Sequence, residues 1–219
     1  VMPYYGYNIR KAQIDLSKKM YEGLTSKQVA ICEAEVGTGK TLAYMVASLV
    51  ARLVYKRKYG QDMPVTITTS SIELQKALVE QEIPKLSTML MSFGIISKPL
   101  KVVLRKGKEH FLCSYRYKDY LTNILKYPDN NSRKIFALET KIKNDSNIDL
   151  DKITIPNAIK RRICVKGSCS GCSKRLLCRY VQYISDATEE VGIDFQVTNH
   201  NMYLASQKNR VPGKKGIIK

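Results

Sequence analysis

Apolar residues recur along the chain with a helical period in some segments and a strand period in others. Helical spacing predicts an amphipathic helix over residues 10–24 and a more apolar one over residues 41–56. A third helix is predicted over residues 72–83, with Ser71 as its N-cap and Pro84 helping to end it. Short apolar or β-branched runs predict strands at 28–34, 64–69, 100–104 and 192–198. This alternation is typical of an α/β fold with a parallel sheet.

The sequence changes character after Cys113. Residues 113–178 are charged and poor in β-branched runs, and polar stretches interrupt them at 128–132 and 143–147. We interpret this region as an inserted, mostly helical subdomain, because strand character returns only at 192–198. The chain is thus predicted to divide into three parts: 1–112, 113–178 and 179–219.

The charge balance points to a polyanionic partner. The chain has 37 lysine and arginine residues against 19 aspartate and glutamate residues, which gives a net charge of +18. A small domain needs only about 2–8 charges for solubility, and a larger excess is costly in self-repulsion. The cations form three groups: Lys98, Lys101, Arg105, Lys106 and Lys108; Lys160, Arg161, Arg162 and Lys166; Lys208, Arg210, Lys214 and Lys215.

The chain carries neither a membrane-spanning pattern nor a secretory signal. Its longest apolar run covers residues 42–51, about half of the roughly 20 residues that a spanning helix needs. It is also long for a disulfide-rich secreted domain, so its six cysteines favour a reducing compartment and a metal site over disulfides. We therefore expect a cytoplasmic protein.

A glycine-rich segment links the strand predicted at 28–34 to the helix predicted at 41–56. Glycines let backbone N–H groups wrap a phosphate chain, and a helix N-terminus adds the positive end of its dipole. A lysine then neutralises the β and γ oxygens, and the next hydroxyl ligates Mg²⁺. The sequence therefore predicts a nucleoside triphosphate site made of Ala34, Gly37, Thr38, Gly39, Lys40 and Thr41, in which Lys40 and Thr41 are the catalytic candidates.

Hydrolysis needs an acidic residue at the end of a later strand, to hold Mg²⁺ and polarise water. Residues 201–219 contain no acidic residue. The nearest carboxylates precede or open the strand predicted at 192–198; they are Asp186, Glu189, Glu190 and Asp194. We therefore predict that this chain binds nucleotide but lacks part of the hydrolytic machinery.

Four cysteines lie within fifteen residues, and a fifth precedes them. The pattern is Cys164-x4-Cys169-x2-Cys172-x5-Cys178, with Cys113 upstream. Thiolates at such spacing can converge on tetrahedral zinc or on an iron–sulfur cluster, and from spacing alone zinc is the default. The sixth cysteine, Cys32, lies within the strand predicted at 28–34 and is interpreted as a small core residue.

Five short segments follow one another in a fixed order: IRKAQ, EAEVGTGKTLAY, TTSSIELQKALVEQEIPKL, RKGKEHFLC and VTNHNMYLA. Together they resemble the motifs of the DinG and XPD family of iron–sulfur superfamily 2 DNA helicases. The resemblance implies a RecA-like P-loop motor domain, with helices on both faces of its sheet and an inserted Fe–S subdomain. It also implies ATP and Mg²⁺ as cofactors and 5′ to 3′ movement along single-stranded or forked DNA by a monomer.

The resemblance assigns roles to single residues. Arg10 and Gln13 match an element that contacts the adenine side of ATP, and Cys113 and Cys178 match ligands of a [4Fe–4S] cluster. Two of Cys164, Cys169 and Cys172 should complete the ligand set, which leaves the third as a spare thiol. Other matching positions are Thr69, Leu74 and Gln75, on the DNA track, and Asn199 and His200, where the cluster domain closes.

The resemblance also implies that an Asp-Glu-Ala-His box and the C-terminal helicase domains should follow Lys219. On that interpretation the chain is an N-terminal piece of a helicase, inactive by itself. The alternative is a P-loop module with a four-cysteine zinc site that binds nucleic acid and never hydrolyses ATP. Phe111, Tyr115, Tyr117 and Tyr180 are candidates either for stacking on bases or for packing the core of the insertion.

Overall fold

A computed structural model describes residues 2–26, 28–126, 148–210, 212 and 216–218. The polar stretches noted at 128–132 and 143–147 lie outside the described residues, and so do Lys214 and Lys215. The α-helices are α1 (Lys11–Thr25), α2 (Lys40–Tyr59), α3 (Ile72–Ala77), α4 (Ile83–Ser92), α5 (Ser114–Lys126), α6 (Asn157–Ile163), α7 (Arg179–Glu189) and α8 (His200–Lys208). The strands are β1 (Val65–Thr68), β2 (Val102–Arg105) and β3 (Phe195–Thr198).

The three strands form a parallel sheet in the order β1-β3-β2. The register pairs Val65 and Val102 with Phe195 from either side. All four residues of β3 are buried, as expected for the central strand of a covered parallel sheet. The strands predicted at 64–69, 100–104 and 192–198 are thus confirmed within shorter bounds, and the α/β fold with them.

The strand predicted at 28–34 is wrong. Within the described part of the chain this segment has no strand assignment, and the side chains of Val29 and Ile31 are 93% and 96% exposed. A strand needs a hydrogen-bonded neighbour, and the sheet formed by β1, β3 and β2 does not include this segment. Cys32 is consequently half-exposed, and its interpretation as a core residue is wrong as well.

The helices predicted at 10–24 and 41–56 are confirmed as α1 and α2, which pack against each other. α2 ends at Gly60, whose left-handed backbone (φ +69°) lets its N–H donate to the Lys56 carbonyl at 2.8 Å. The core beside the sheet combines buried side chains of α2, α4, β3 and the turn between α3 and α4. Its buried members are Met45, Leu49, Leu78, Ile83, Leu86, Leu90, Phe195 and Val197.

The helix predicted at 72–83 continues past its expected end. Ser71 caps α3 as predicted, since its hydroxyl accepts the Leu74 N–H at 3.1 Å. Pro84, however, does not end the helical run, which continues to Ser92. A π-helical turn at Leu78–Glu82 separates α3 from α4, and this places Pro84 in the first turn of α4, where its missing N–H is tolerated.

A buried ion pair ties α2 to the start of β3. The Asp194 carboxylate lies 2.7 Å from Arg52 Nη1 and accepts the Lys101 backbone N–H, also at 2.7 Å. Glu190 pairs with Arg105 at 2.8 Å and with Lys101 at 2.9 Å. Both carboxylates therefore hold the sheet together, in keeping with their position before β3.

The chain folds into two compact units. One comprises Val1–Arg105 and Glu190–Lys219 and contains the sheet; the other is Lys106–Glu189. The core of the second unit is mostly aliphatic, and its most deeply buried side chains are Leu150, Ile163, Val165, Leu112 and Cys164. Among the described residues, no helix is long and apolar enough to cross a membrane.

Candidate functional site

The glycine-rich segment turns sharply into α2. Gly37 and Gly39 have φ values of +85° and +83°, a left-handed conformation that side chains with a Cβ adopt at a cost. Gly39 is the residue before α2, and its carbonyl accepts the Ala43 N–H at 3.1 Å. Because α2 is 20 residues long, the positive end of its dipole and its first unpaired N–H groups meet this turn.

Two side chains of the α1 region hold the turn from the other side. Arg10 donates from Nη1 to the Gly37 carbonyl. Gln13 donates from Nε2 to the Gly39 carbonyl at 2.9 Å. The turn is therefore supported by α1, whereas the sequence predicted support from a preceding strand.

The Lys40 side chain folds back over the turn. Its Nζ donates to the Ala34 carbonyl at 2.8 Å and to the Glu35 carbonyl at 2.9 Å. Thr38 also donates from its hydroxyl to the Glu35 carbonyl, at 2.7 Å. Lys40 is exposed, and Thr41, the second residue of α2, is half-buried.

Cys169 lies among three other thiols of the second unit. Burial raises the pKa of the Cys169 thiol, and the neighbouring Cys178, Cys113 and Cys172 raise it further. The Cys169 thiol therefore resists deprotonation, because burial and the neighbouring sulfurs both disfavour its thiolate. As they stand, the His, Cys, Asp and Glu side chains of the described residues form no group of three or more with metal-binding geometry. The structure thus brings four cysteines into one neighbourhood.

Cys164 is more deeply buried than the other four cysteines of the second unit. It forms an isolated antiparallel bridge with Leu112, and both side chains are buried at 3% exposure. The Cys164 side chain is thus part of the core of the second unit, and its thiol donates to the Arg161 carbonyl at 3.6 Å. Cys113 and Cys169 are partly buried and pack against the same core.

An aromatic cluster lies beside the four thiols. The Phe111 ring centroid is 4.7 Å from that of Tyr183 and 5.4 Å from that of Tyr180. Burial, together with the nearby Cys169, raises the pKa of Tyr180 to about 12. Tyr117 is buried at 8% exposure, whereas Tyr115 is 60% exposed. Packing thus accounts for three of the four aromatic candidates, and Tyr115 alone of the four projects into solvent.

A charged network near the start of the second unit could not be found from the sequence. Asp151 accepts hydrogen bonds from Lys106 at 3.1 Å and from Lys160, and the His110 Nδ1 lies 2.8 Å away from it. Burial alone would raise the pKa of Asp151, but the hydrogen bonds from Lys160 and Lys106 hold it well below its usual range. Asp149 joins the network through Lys106 at 2.7 Å. Part of the local cationic excess is therefore neutralised within the fold.

Several motif residues make local structural contacts. Asn199 caps α8 by accepting the Met202 N–H at 2.6 Å, and the His200 Nδ1 lies 3.0 Å from the Thr68 hydroxyl. Gln75 is buried and donates to the Thr69 carbonyl at 3.2 Å. These contacts fix the carboxyl ends of β1 and β3, the edge at which ligands bind in open parallel sheets.

The chain is similar in sequence to known helicases. Over 104 positions, which cover 48% of this chain, it is 30% identical to the ATP-dependent helicase DinG of Mycobacterium tuberculosis (strain ATCC 25177 / H37Ra). Over 111 positions, which cover 51% of it, the chain is 32% identical to the ATP-dependent DNA helicase YoaA of Escherichia coli (strain K12). Its homologues include DinG and YoaA helicases.

A third relative, which is also named DinG, matches more of the chain. The 3'-5' exonuclease DinG of Bacillus subtilis (strain 168) is 24% identical over 216 positions, which cover 94% of this chain. The matched regions span only 14%, 15% and 21% of the lengths of the M. tuberculosis DinG, YoaA and the B. subtilis DinG. No protein-family model matches the chain.

Proposed function

We propose that this chain is the ATP-binding portion of a DinG-like DNA helicase, which in the full-length protein couples ATP hydrolysis to 5′–3′ unwinding. The observation that carries the proposal is the turn before α2, where two left-handed glycines and a folded-back lysine meet the N-terminus of a long helix. The similarity to DinG and YoaA helicases supports the same conclusion.

In this proposal the turn binds the phosphates of ATP. The contacts of Lys40 with the Ala34 and Glu35 carbonyls show that its Nζ reaches over the turn. A triphosphate would offer this ammonium charged oxygens in place of neutral carbonyls, which makes the stronger hydrogen bonds. Arg10 and Gln13 would keep the turn in shape, and Thr41 is the residue that would ligate Mg²⁺.

The second unit would carry the Fe–S cluster. Cys113, Cys169, Cys172 and Cys178 fit a cubane by chemistry, because four thiols lie in one neighbourhood beside an aromatic cluster. Cys164 would be the spare thiol, since its side chain belongs to the apolar core. When bound, such a cluster would covalently link Cys113, which precedes α5, to Cys178, which precedes α7. It would also supply a centre able to carry one electron.

The proposed domain division follows from the same assignments. The RecA-like motor domain, with helices on both faces of its sheet, would comprise 1–112 and 179–219, and the insertion would comprise 113–178. The compact unit Lys106–Glu189 encloses that insertion. The net charge of +18 supports single-stranded or forked DNA as the partner.

The nucleotide assignment is tested in the full-length protein. Lys40→Ala should abolish DNA-dependent ATP hydrolysis and weaken the binding of a fluorescent ATP analogue. Lys19→Ala, which removes one exposed lysine from α1, is the matched control for charge. If Lys40→Ala and Lys19→Ala hydrolyse ATP at equal rates, the assignment of the turn is wrong.

The metal assignment is tested by iron, sulfide and zinc analysis after anaerobic purification. A cubane predicts about four irons per chain and visible absorption. Cys169→Ser should lose the iron, and Cys164→Ser should retain it as long as the protein stays folded. One zinc per chain, without ATP hydrolysis by the full-length protein, would instead favour the nucleic-acid-binding module.

A further inference from the structure

Helix α5 presents two different faces. Tyr117 and Ile124, seven residues apart, are buried in the core of the second unit, and Leu121 packs against the same core. A second stripe of the helix carries Tyr115 and Asp119 to the surface, where both are exposed. This second stripe is rich in aromatic and hydrogen-bonding groups, which the apolar packing of the core does not explain.

The second stripe lines an open groove of about 480 Å³. That volume lies within the range of small-molecule sites. Arg162 of α6 closes one side, and its guanidinium carbon lies 5.8 Å from the Tyr120 ring centroid. Arg116 donates from Nε to the Arg162 backbone carbonyl at 3.0 Å, which ties the Arg116 side chain to α6.

The groups in this groove match the parts of a nucleotide. Tyr115 offers an exposed ring on which a base can stack, at 60% exposure. The guanidinium groups of Arg116 and Arg162 suit a phosphate, and the bond from Arg116 Nε uses one of its five N–H donors. Asp119 accepts a hydrogen bond from the Asn123 amide at 3.4 Å. The Asp119 carboxylate and the Asn123 amide could therefore hydrogen-bond to the edge of a base.

We propose that this groove holds one nucleotide of a single strand, with its base on Tyr115 and its phosphate between Arg116 and Arg162. The proposal rests on the DNA-binding function proposed above and names a contact within it. A strand is favoured over a free nucleotide because the groove is open and lies on a strongly basic chain, which suits a polymer that runs on past it.

The test is the fluorescence anisotropy of a labelled oligothymidine titrated with the wild-type chain and its variants, without ATP. Tyr115→Ala should weaken binding about 5- to 150-fold, as expected when one stacked base is lost. Tyr115→Phe should stay within about twofold of wild type, because it keeps the ring. Tyr59→Ala is a stringent control, since Tyr59 is 54% exposed and follows three cationic residues.

A second matched pair separates the groove from general electrostatics. Arg161 and Arg162 are adjacent and exposed on α6, but only Arg162 lines the groove. Arg162→Gln should lower the slope of log affinity against log salt by about 0.7, the value for one phosphate of a single strand. Arg161→Gln should lower it less. Equal effects of the two arginine variants would overturn the groove assignment.

The remaining outcomes also decide the question. If Tyr115→Ala binds like Tyr59→Ala, or Tyr115→Phe like Tyr115→Ala, the groove is not a stacking site, although the proposed helicase function stands. Thymidine monophosphate that binds as tightly as the oligomer would overturn the strand as ligand. Failure of the wild-type chain to bind the oligomer would overturn this inference together with the DNA-binding part of the proposed function.

Discussion

Substitution of Gly39 by alanine is the sharpest test of the turn before α2. At φ +83° an alanine is strained by about 1–2 kcal/mol. Its Cβ would also clash with Gln13 Nε2, so the Gln13 side chain must move. That movement is sterically cheap because Nε2 ends a flexible side chain, but it breaks the hydrogen bond to the Gly39 carbonyl.

The expected effect on nucleotide binding follows from these two contributions. Loss of the Gln13 hydrogen bond adds about 0.5–1.5 kcal/mol to the backbone strain. The sum is about 1.5–3.5 kcal/mol, and if all of it opposes the bound form of the turn, ATP affinity falls at least about tenfold. Gly37→Ala has similar strain at φ +85° but meets no atom within 4 Å, so it should lose less affinity.

The assay is a titration with a fluorescent ATP analogue, paired with urea unfolding of each variant. Gly60→Ala is the control for strain, because Gly60 has φ +69° and open space around it, but lies at the far end of α2. It should lose stability and keep its ATP affinity. In a Gln13→Ala background, Gly39→Ala should cost only its backbone strain. Equal ATP affinities of Gly39→Ala and Gly60→Ala would refute the reasoning.

Three further predictions concern stability. Asp194→Ala should lower the free energy of unfolding by about 3 kcal/mol or more, because among the described residues it leaves the buried Arg52 with only its 3.1 Å ion pair to Asp62. Urea unfolding measures this, and Asp62→Ala, at an exposed carboxylate, should cost less than about 1 kcal/mol. The pKa of Asp151 is lowered in the folded state, so the stability that its ion pairs give the fold is present above about pH 4 and is lost as the pH falls below that. The difference in melting temperature between wild type and Asp151→Asn should therefore shrink from pH 5 to pH 3. A constant difference would contradict the contribution of these ion pairs. Ser71→Ala should cost about 1 kcal/mol by loss of the cap of α3, whereas Ser71→Asp should retain most of the stability; the same unfolding assay compares them.

The regular elements could be predicted where pattern and packing agree. α1 and α2 have apolar residues at helical spacing and pack against each other, and their periodicity alone predicts both helices. The segment at 28–34 is equally apolar, but hydropathy cannot supply the neighbouring strand that a strand requires. The prediction that Pro84 ends the helix fails for a different reason. The π-helical turn before α4 places Pro84 in the first turn of that helix, where a missing N–H is tolerated.

The candidate metal site likewise could be predicted only in part. The spacing of the cysteines does not distinguish Cys164 from Cys169 or Cys172, because each lies near Cys178 in the sequence. What the structure adds for Cys164 is its burial in the core of the second unit and its bridge to Leu112, a contact across about fifty residues. The Asp151 network depends in the same way on Lys106 and Lys160, whose approach is a property of the folded unit.

The strand order also sets the sequence of events as the chain leaves the ribosome. β3 is the last strand to be made, yet it lies between β1 and β2, which therefore have no partner in the sheet until it emerges. About 90 residues separate Val102 from its partner Phe195, which amounts to about 5–20 s of synthesis. The unit Lys106–Glu189 is complete before Phe195 appears. The cysteine-bearing unit can thus collapse first, and the sheet is completed only afterwards.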